Sequence, residues 1–179
     1  ISSIKKFYAF EPQKPIFKIL KKNFSSNRKV KLINLGISEK PSNKIFYINK
    51  LSSSSTMSKF DKSSKYLKFK NILTGSKKNY IDKYSIKTSS INQFFKNIKF
   101  KNCLLKIDVE GFELNVLKGS QKLLINKVKY VLVERHFFQL YKQNLSNEVN
   151  LFLKKNNFTL IKKFTFPLLH FQDNLYEKK

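Results

Sequence analysis

Cys103-Leu104-Leu105-Lys106-Ile107-Asp108-Val109-Glu110-Gly111-Phe112-Glu113-Leu114-Asn115-Val116-Leu117-Lys118-Gly119 decides the fold class. An apolar strand runs into a carboxylate, a second carboxylate follows, and a glycine then opens a helix. Sites in open α/β sheets form where strands end and helices begin. Two other apolar runs finish the same way: Phe7-Tyr8-Ala9-Phe10 leads into Glu11, and Tyr130-Val131-Leu132-Val133 into Glu134. Three strands that each end in an acid predict one polar rim.

Working outward, strand and helix signals alternate. Ile4 to Phe10 reads as a strand. Pro12 and Pro15 suit a turn and the start of a helix, and Ile16, Phe17, Ile19, Leu20 and Phe24 give that helix an apolar face. Val30 to Leu35 is a second strand, followed by Gly36, and Ile45 to Ile48 a third. Strand, helix, strand is the βαβ order of a parallel sheet. The serine- and lysine-rich stretch 52–83 has no clear periodicity and reads as a long loop, of the kind that is either functional or disordered. Tyr84 to Thr88 is a short strand, with Ser89 or Ser90 capping a helix through Phe95. Leu104 to Asp108 is a strand, Gly111 to about Leu124 one helix, and Tyr130 to His136 a strand. Leu145 to about Asn156 is a helix capped by Ser146. Phe158 to Phe164 and Leu168 to Tyr176 form a final antiparallel pair.

At 179 residues and 41% hydrophobic, the chain is expected to form one domain with a real core. No apolar run reaches the roughly 18 residues of a membrane span. Cys103 is the sole cysteine, so no internal disulfide can form; it reads as a small buried hydrophobe in a cytoplasmic protein. The net charge is +26, from 37 basic and 11 acidic residues, which raises nucleic acid or an anionic surface as a partner. Against nucleic acid, only Arg28 and Arg135 are arginines, whereas base-edge and bidentate phosphate contacts favour arginine. The lysines are spread along the whole chain and fit an AT-rich genome with lysine as its default surface residue.

Several residues can carry chemistry. Glu11, at the end of an early strand, can accept both hydroxyls of a ribose or simply cap a helix. Asp108 and Glu110 have period-two spacing. On a continuing strand they would share a face, and with it a proton or a hydroxyl-bearing substrate; alternatively they cap the helix at Gly111. Glu134 and His136 repeat that spacing, and a histidine beside carboxylates is either a general base or structural. Such acids with a histidine could also bind a metal, but no tight ligand spacing supports this and none is assigned. His170 reads as structural. Gly36, Gly75, Gly111 and Gly119 are the only glycines, so the chain holds no glycine-rich phosphate or nucleotide loop.

Phe7-Tyr8-Ala9-Phe10-Glu11-Pro12, Leu32-Ile33-Asn34-Leu35-Gly36-Ile37-Ser38, Leu105-Lys106-Ile107-Asp108-Val109-Glu110-Gly111-Phe112-Glu113 and Val131-Leu132-Val133-Glu134 together resemble the FkbM-type methyltransferases, in the right order over nearly the whole chain. The resemblance implies a class I, Rossmann-like α/β sheet, mostly parallel with an antiparallel C-terminal pair. It also implies dependence on S-adenosylmethionine and O-methylation of a hydroxyl on a sugar, glycan or natural product. It would place the cofactor ribose on Glu11, with Pro12 near the adenine and Gly36 and Ile37 lining the adenine pocket. Asp108 would lie below the methyl group, and Glu110, Glu134 and His136 on the acceptor side. The serines around Ser54 and Ser55 match a serine-rich stretch of the family and could close over the site.

Two departures from the family pattern stand out. Only six residues precede Phe7, where the family has a strand and a glycine loop that hold the methionine end of the cofactor. Residues 1–179 are therefore expected to be a partial domain lacking its N-terminal strand and helix. The sheet should then be split beside Phe7 to Phe10. In Ser90-Ile91-Asn92 an asparagine stands where the family commonly has aspartate, which puts an acidic role there in doubt. The competing function class is a basic binding module without catalysis.

Overall fold

The computed structural model describes residues 4–49, 55–61, 63–64, 68, 72, 80–136, 146–165 and 171–179. The chain opens with β1 (Phe7–Phe10), α1 (Lys14–Asn23) and β2 (Val30–Ile33). β1 and β2 pair in parallel, with Phe7 opposite Val30 and Phe10 opposite Ile33. Alternation sends Tyr8 and Phe10 inward, where their rings meet Phe95 and Phe94 edge-on at 4.9 Å in each case. Phe7 points the other way and is exposed. Pro15 fixes the first turn of α1, and Lys21 and Lys22 sit favourably at its C-terminal end. The expected apolar face of α1 is narrower than its pattern. Ile16, Phe17 and Leu20 are half-buried, but Ile19 and Phe24 face solvent.

A second sheet comprises β3 (Gly36–Ile37), β4 (Ser42–Ile48) and β5 (Asp82–Ser89) in the order β3-β5-β4. The strand read over Val30 to Leu35 thus stops at Ile33, and Gly36 and Ile37 pair instead in parallel with Thr88 and Ser89. Ser90 caps α2 (Ile91–Phe94), its hydroxyl accepting the Gln93 N–H at 3.1 Å.

The third sheet builds the core. It comprises β6 (Cys103–Ile107), β7 (Val128–His136), β8 (Phe158–Thr165) and β9 (Phe171–Lys178) in the order β6-β7-β9-β8. β6 and β7 are parallel, whereas β9 runs antiparallel to both β7 and β8. The single helix expected from Gly111 to Leu124 is two, α3 (Glu113–Lys118) and α4 (Gln121–Asn126). A Cβ on Gly119 would collide with the Ser38 carbonyl, so the glycine permits a close crossing of two backbones. Asn92 secures the break: its N–H donates to Gly119 O at 2.9 Å, and its Oδ1 accepts the Leu123 N–H at 3.2 Å. α5 (Ser146–Lys155) lays Val149 and Leu153 into the core with Leu117, Leu124 and Val131.

Parallel pairings do not predominate as expected. β1-β2, β3-β5 and β6-β7 are parallel, while β4-β5, β7-β9 and β8-β9 are antiparallel. β1 does not pair with β6, and the strands leading to Glu11 and Asp108 lie in separate sheets. Among the described residues, no helix is long and apolar enough to cross a membrane.

Candidate active site

β6 stops at Ile107, so alternation along a strand does not bring Asp108 and Glu110 together as expected. A turn does so instead. Glu110 has φ 54° and Gly111 φ 84°, and a left-handed non-glycine residue costs about 1–2 kcal/mol. Hydroxyls from the serine-rich segment brace this turn. Thr56 Oγ1 donates to Glu110 O at 2.6 Å, and Ser58 Oγ donates to Gly111 O at 2.6 Å. Each such bond returns roughly 1 kcal/mol. The Gly111 N–H donates to Glu113 Oε1 at 2.8 Å. It is therefore Glu113, and not Asp108 or Glu110, that takes this amide at the start of α3.

β7 supplies Glu134 from the neighbouring strand. Carboxylate oxygens of Asp108, Glu110 and Glu134 lie within 4.8 Å of one another, and Glu134 and Asp108 share a side-chain hydrogen bond. Burial, and then the charges of Asp108 and Glu110, push Glu134 up to about 9. The cluster therefore retains a proton at neutral pH. Burial likewise raises Glu113 to about 7, despite the Gly111 hydrogen bond that favours its charged form.

Lys106 Nζ lies 2.8 Å from Asp108 Oδ2. Burial works to lower the Lys106 pKa, but the Asp108 hydrogen bond and the charges of Asp108, Asp173 and Glu134 outweigh it and hold the ammonium charged. Asp173 belongs to this group because β9 places it directly opposite Glu134. The oxygen spacing would admit a cation, but Lys106 already supplies positive charge there, and no metal is assigned.

The other expected site residues are spread more widely. Glu11 is not in the cluster. It follows β1, its Oε1 accepts the Gln13 N–H at 2.6 Å, and burial raises its pKa. Asn34 Nδ2 donates to the carbonyls of Glu11 at 2.8 Å and Pro12 at 3.2 Å, tying the end of β2 to this turn. Gly36 packs under Ile86 and Thr88 of β5, and Ile37 lies in the hydrophobic core. His136 is the last residue of β7, opposite Phe171; its side chain lies outside the described residues. Ser54 also lies outside them, whereas Ser55 is buried and its hydroxyl accepts the Asn49 N–H at 3.1 Å.

This strand-end acid pair with its glycine turn lies within residues 2–160, which match the Methyltransferase FkbM domain family. The chain belongs to that family. No curated protein matches it. Its fold is similar to that of the methyltransferase FkbM from Methylobacillus flagellatus KT, a solved structure, with a TM-score of 0.58 and 14% identity. The match covers 97% of this chain and 36% of that one.

In this FkbM domain, four residues of the acid site escape sequence reasoning. Asp173 reaches it through the β7-β9 register, Lys106 from β6 two residues before Asp108, and Thr56 and Ser58 by folding back from more than fifty residues away. The seryl and threonyl run was the only visible signal for the last pair.

Proposed function

We propose that this domain is an S-adenosylmethionine-dependent methyltransferase that methylates a hydroxyl oxygen on a sugar, glycan or natural product. The observation that carries the reading is the cluster of Asp108, Glu110 and Glu134 at the ends of neighbouring parallel strands, in a chain of the FkbM methyltransferase family. Strand order supports the class I architecture. β2-β1 is parallel, and β6-β7 is parallel with β9-β8 as an antiparallel pair beside it.

The cofactor fits one side of this arrangement. Glu11 is a half-buried carboxylate at the end of a parallel strand, oriented through Oε1 by the Gln13 N–H, and its burial favours hydroxyl donors as partners. Pro12 continues the same wall. Gly36 and Ile37 are core residues and would contribute shape through their backbone. S-adenosylmethionine, when bound, supplies a methyl group activated for displacement. The acceptor hydroxyl is held by the acid cluster: Asp108, fixed by Lys106, accepts its hydrogen bond, and protonated Glu134 donates one. The hydroxyl proton passes to Asp108 or Glu110, with His136 as a further acceptor at the strand end. The basic-module alternative draws no support from the family match.

The test is methyl transfer from labelled S-adenosylmethionine to a panel of hydroxylated acceptors, alongside calorimetry with S-adenosylhomocysteine. Glu11→Ala should weaken cofactor binding by roughly 1–3 kcal/mol, the cost of unpaired hydroxyls. Asp108→Asn should lower turnover far more than cofactor affinity. Unchanged affinity in the first variant removes Glu11 from the cofactor site, and turnover within a few-fold in the second makes Asp108 structural.

A further inference from the structure

We propose that Thr56 and Ser58 are positioning residues for the acid site, so that the serine-rich segment sets where the Glu110 carboxylate stands relative to Asp108 and Glu134. The proposal rests on the reading of Glu110 as an acceptor-side residue, but its geometry is independent of that reading. Thr56 is fully buried, and its side-chain hydroxyl is committed to this turn. Oγ1 donates to Glu110 O at 2.6 Å, lies 3.5 Å from Val109 O, and accepts the Ser58 N–H at 2.9 Å. That last bond aims the Ser58 hydroxyl at Gly111 O, 2.6 Å away.

The two hydroxyls therefore hold consecutive carbonyls of the one segment whose backbone is left-handed at both residues. Without them, Glu110 has every reason to return to an extended conformation, which turns its side chain. The segment is itself anchored at a distance. Thr56 pairs with Tyr47 on β4 through two backbone bonds of 2.8 and 3.0 Å, and Phe60 and Tyr80 pack on the Tyr47 ring. The β4-β5 sheet thereby anchors the two hydroxyl groups that hold this turn.

Thr56→Val keeps the shape and removes the hydroxyl, whereas Thr56→Ser keeps the hydroxyl. The informative readout is the titration of the Glu134 carboxyl, followed by carbon-detected NMR on the full chain. Glu134 faces Asp108 and Glu110 from the β6-α3 turn, Glu113 from α3, Lys106 from β6 and Asp173 from β9, so losing the Glu110 charge from its side moves its midpoint. Glu110→Gln should lower the Glu134 midpoint. Thr56→Val should lower it comparably, Thr56→Ser should leave it at the wild-type value, and Thr56→Val should add nothing in the Glu110→Gln background. Ser58→Ala, at a half-buried hydroxyl, makes the same test if Thr56→Val does not fold. A Thr56→Val or Ser58→Ala midpoint equal to wild type overturns the proposal, as does a shift that persists without the Glu110 charge. A chain that shows these shifts but transfers no methyl group upholds the positioning role and overturns only the catalytic reading.

Discussion

Glu113 shows how one buried carboxyl contributes to the pH response of this domain. An unfolded glutamate releases its proton near 4.5, whereas folded Glu113 holds it to about 7. Across that interval the folded state binds more protons, so stability falls as pH rises, by about 3 kcal/mol for a full transfer. Glu113→Gln keeps an acceptor for the Gly111 N–H and cannot ionise. It should make the loss of stability between pH 4.5 and 7 shallower, leaving the part that Glu134, raised to about 9, contributes, measured by urea midpoints; a variant curve parallel to wild type would show that Glu113 does not titrate in this interval. The acids read from strand ends, Asp108 and Glu134, do meet, because strand ends converge wherever neighbouring strands are parallel. Glu110 was legible only by residue type: alternation predicts its place, but a left-handed turn delivers it. Asp173 was invisible because its place depends on a cross-strand register formed with a segment nearly forty residues away.

At the scale of elements, the break between α3 and α4 interrupts a helical apolar spacing. Phe112, Val116, Leu117 and Leu124 can share one face, so the run from Gly111 to Leu124 reads as one continuous helix. Tertiary contact decides otherwise, since the Ser38 backbone occupies the space a Gly119 side chain would need. Gly119→Ala should therefore destabilise, by roughly 1–3 kcal/mol, and thermal melting gives the sign directly. Asn92 belongs to the same joint. Its Oδ1 serves the Leu123 N–H of α4, a capping role that aspartate would also fill, so the departure from the family pattern costs no contact here. Asn92→Ala should lower stability by about 0.5–2 kcal/mol. By contrast, the Ser90 cap and the antiparallel β8-β9 pair were legible, because each follows from local chemistry and hydrophobic patterning.

For the whole molecule, the decisive feature is the separation of β1-β2 from the four-stranded sheet. β1 and β6 each have a single strand partner among the described residues, and strand edges without partners are sticky when exposed. With those edges open, the domain is expected to melt with low cooperativity. A single sharp transition, with equal calorimetric and van't Hoff enthalpies, would refute this. The same architecture also orders the chain by how long its amides keep their protons. β7 is hydrogen-bonded on both sides, to parallel β6 and antiparallel β9, and contributes the fully buried Val131 and Val133. Its amides should exchange with deuterium only through global unfolding, while β1, bonded on one side only among the described residues, should exchange through local opening. The strand end that carries Glu134 would thus sit on a slowly exchanging strand and the one that leads to Glu11 on a faster one, so the proposed cofactor edge opens and closes more readily than the Glu134 side of the acid cluster.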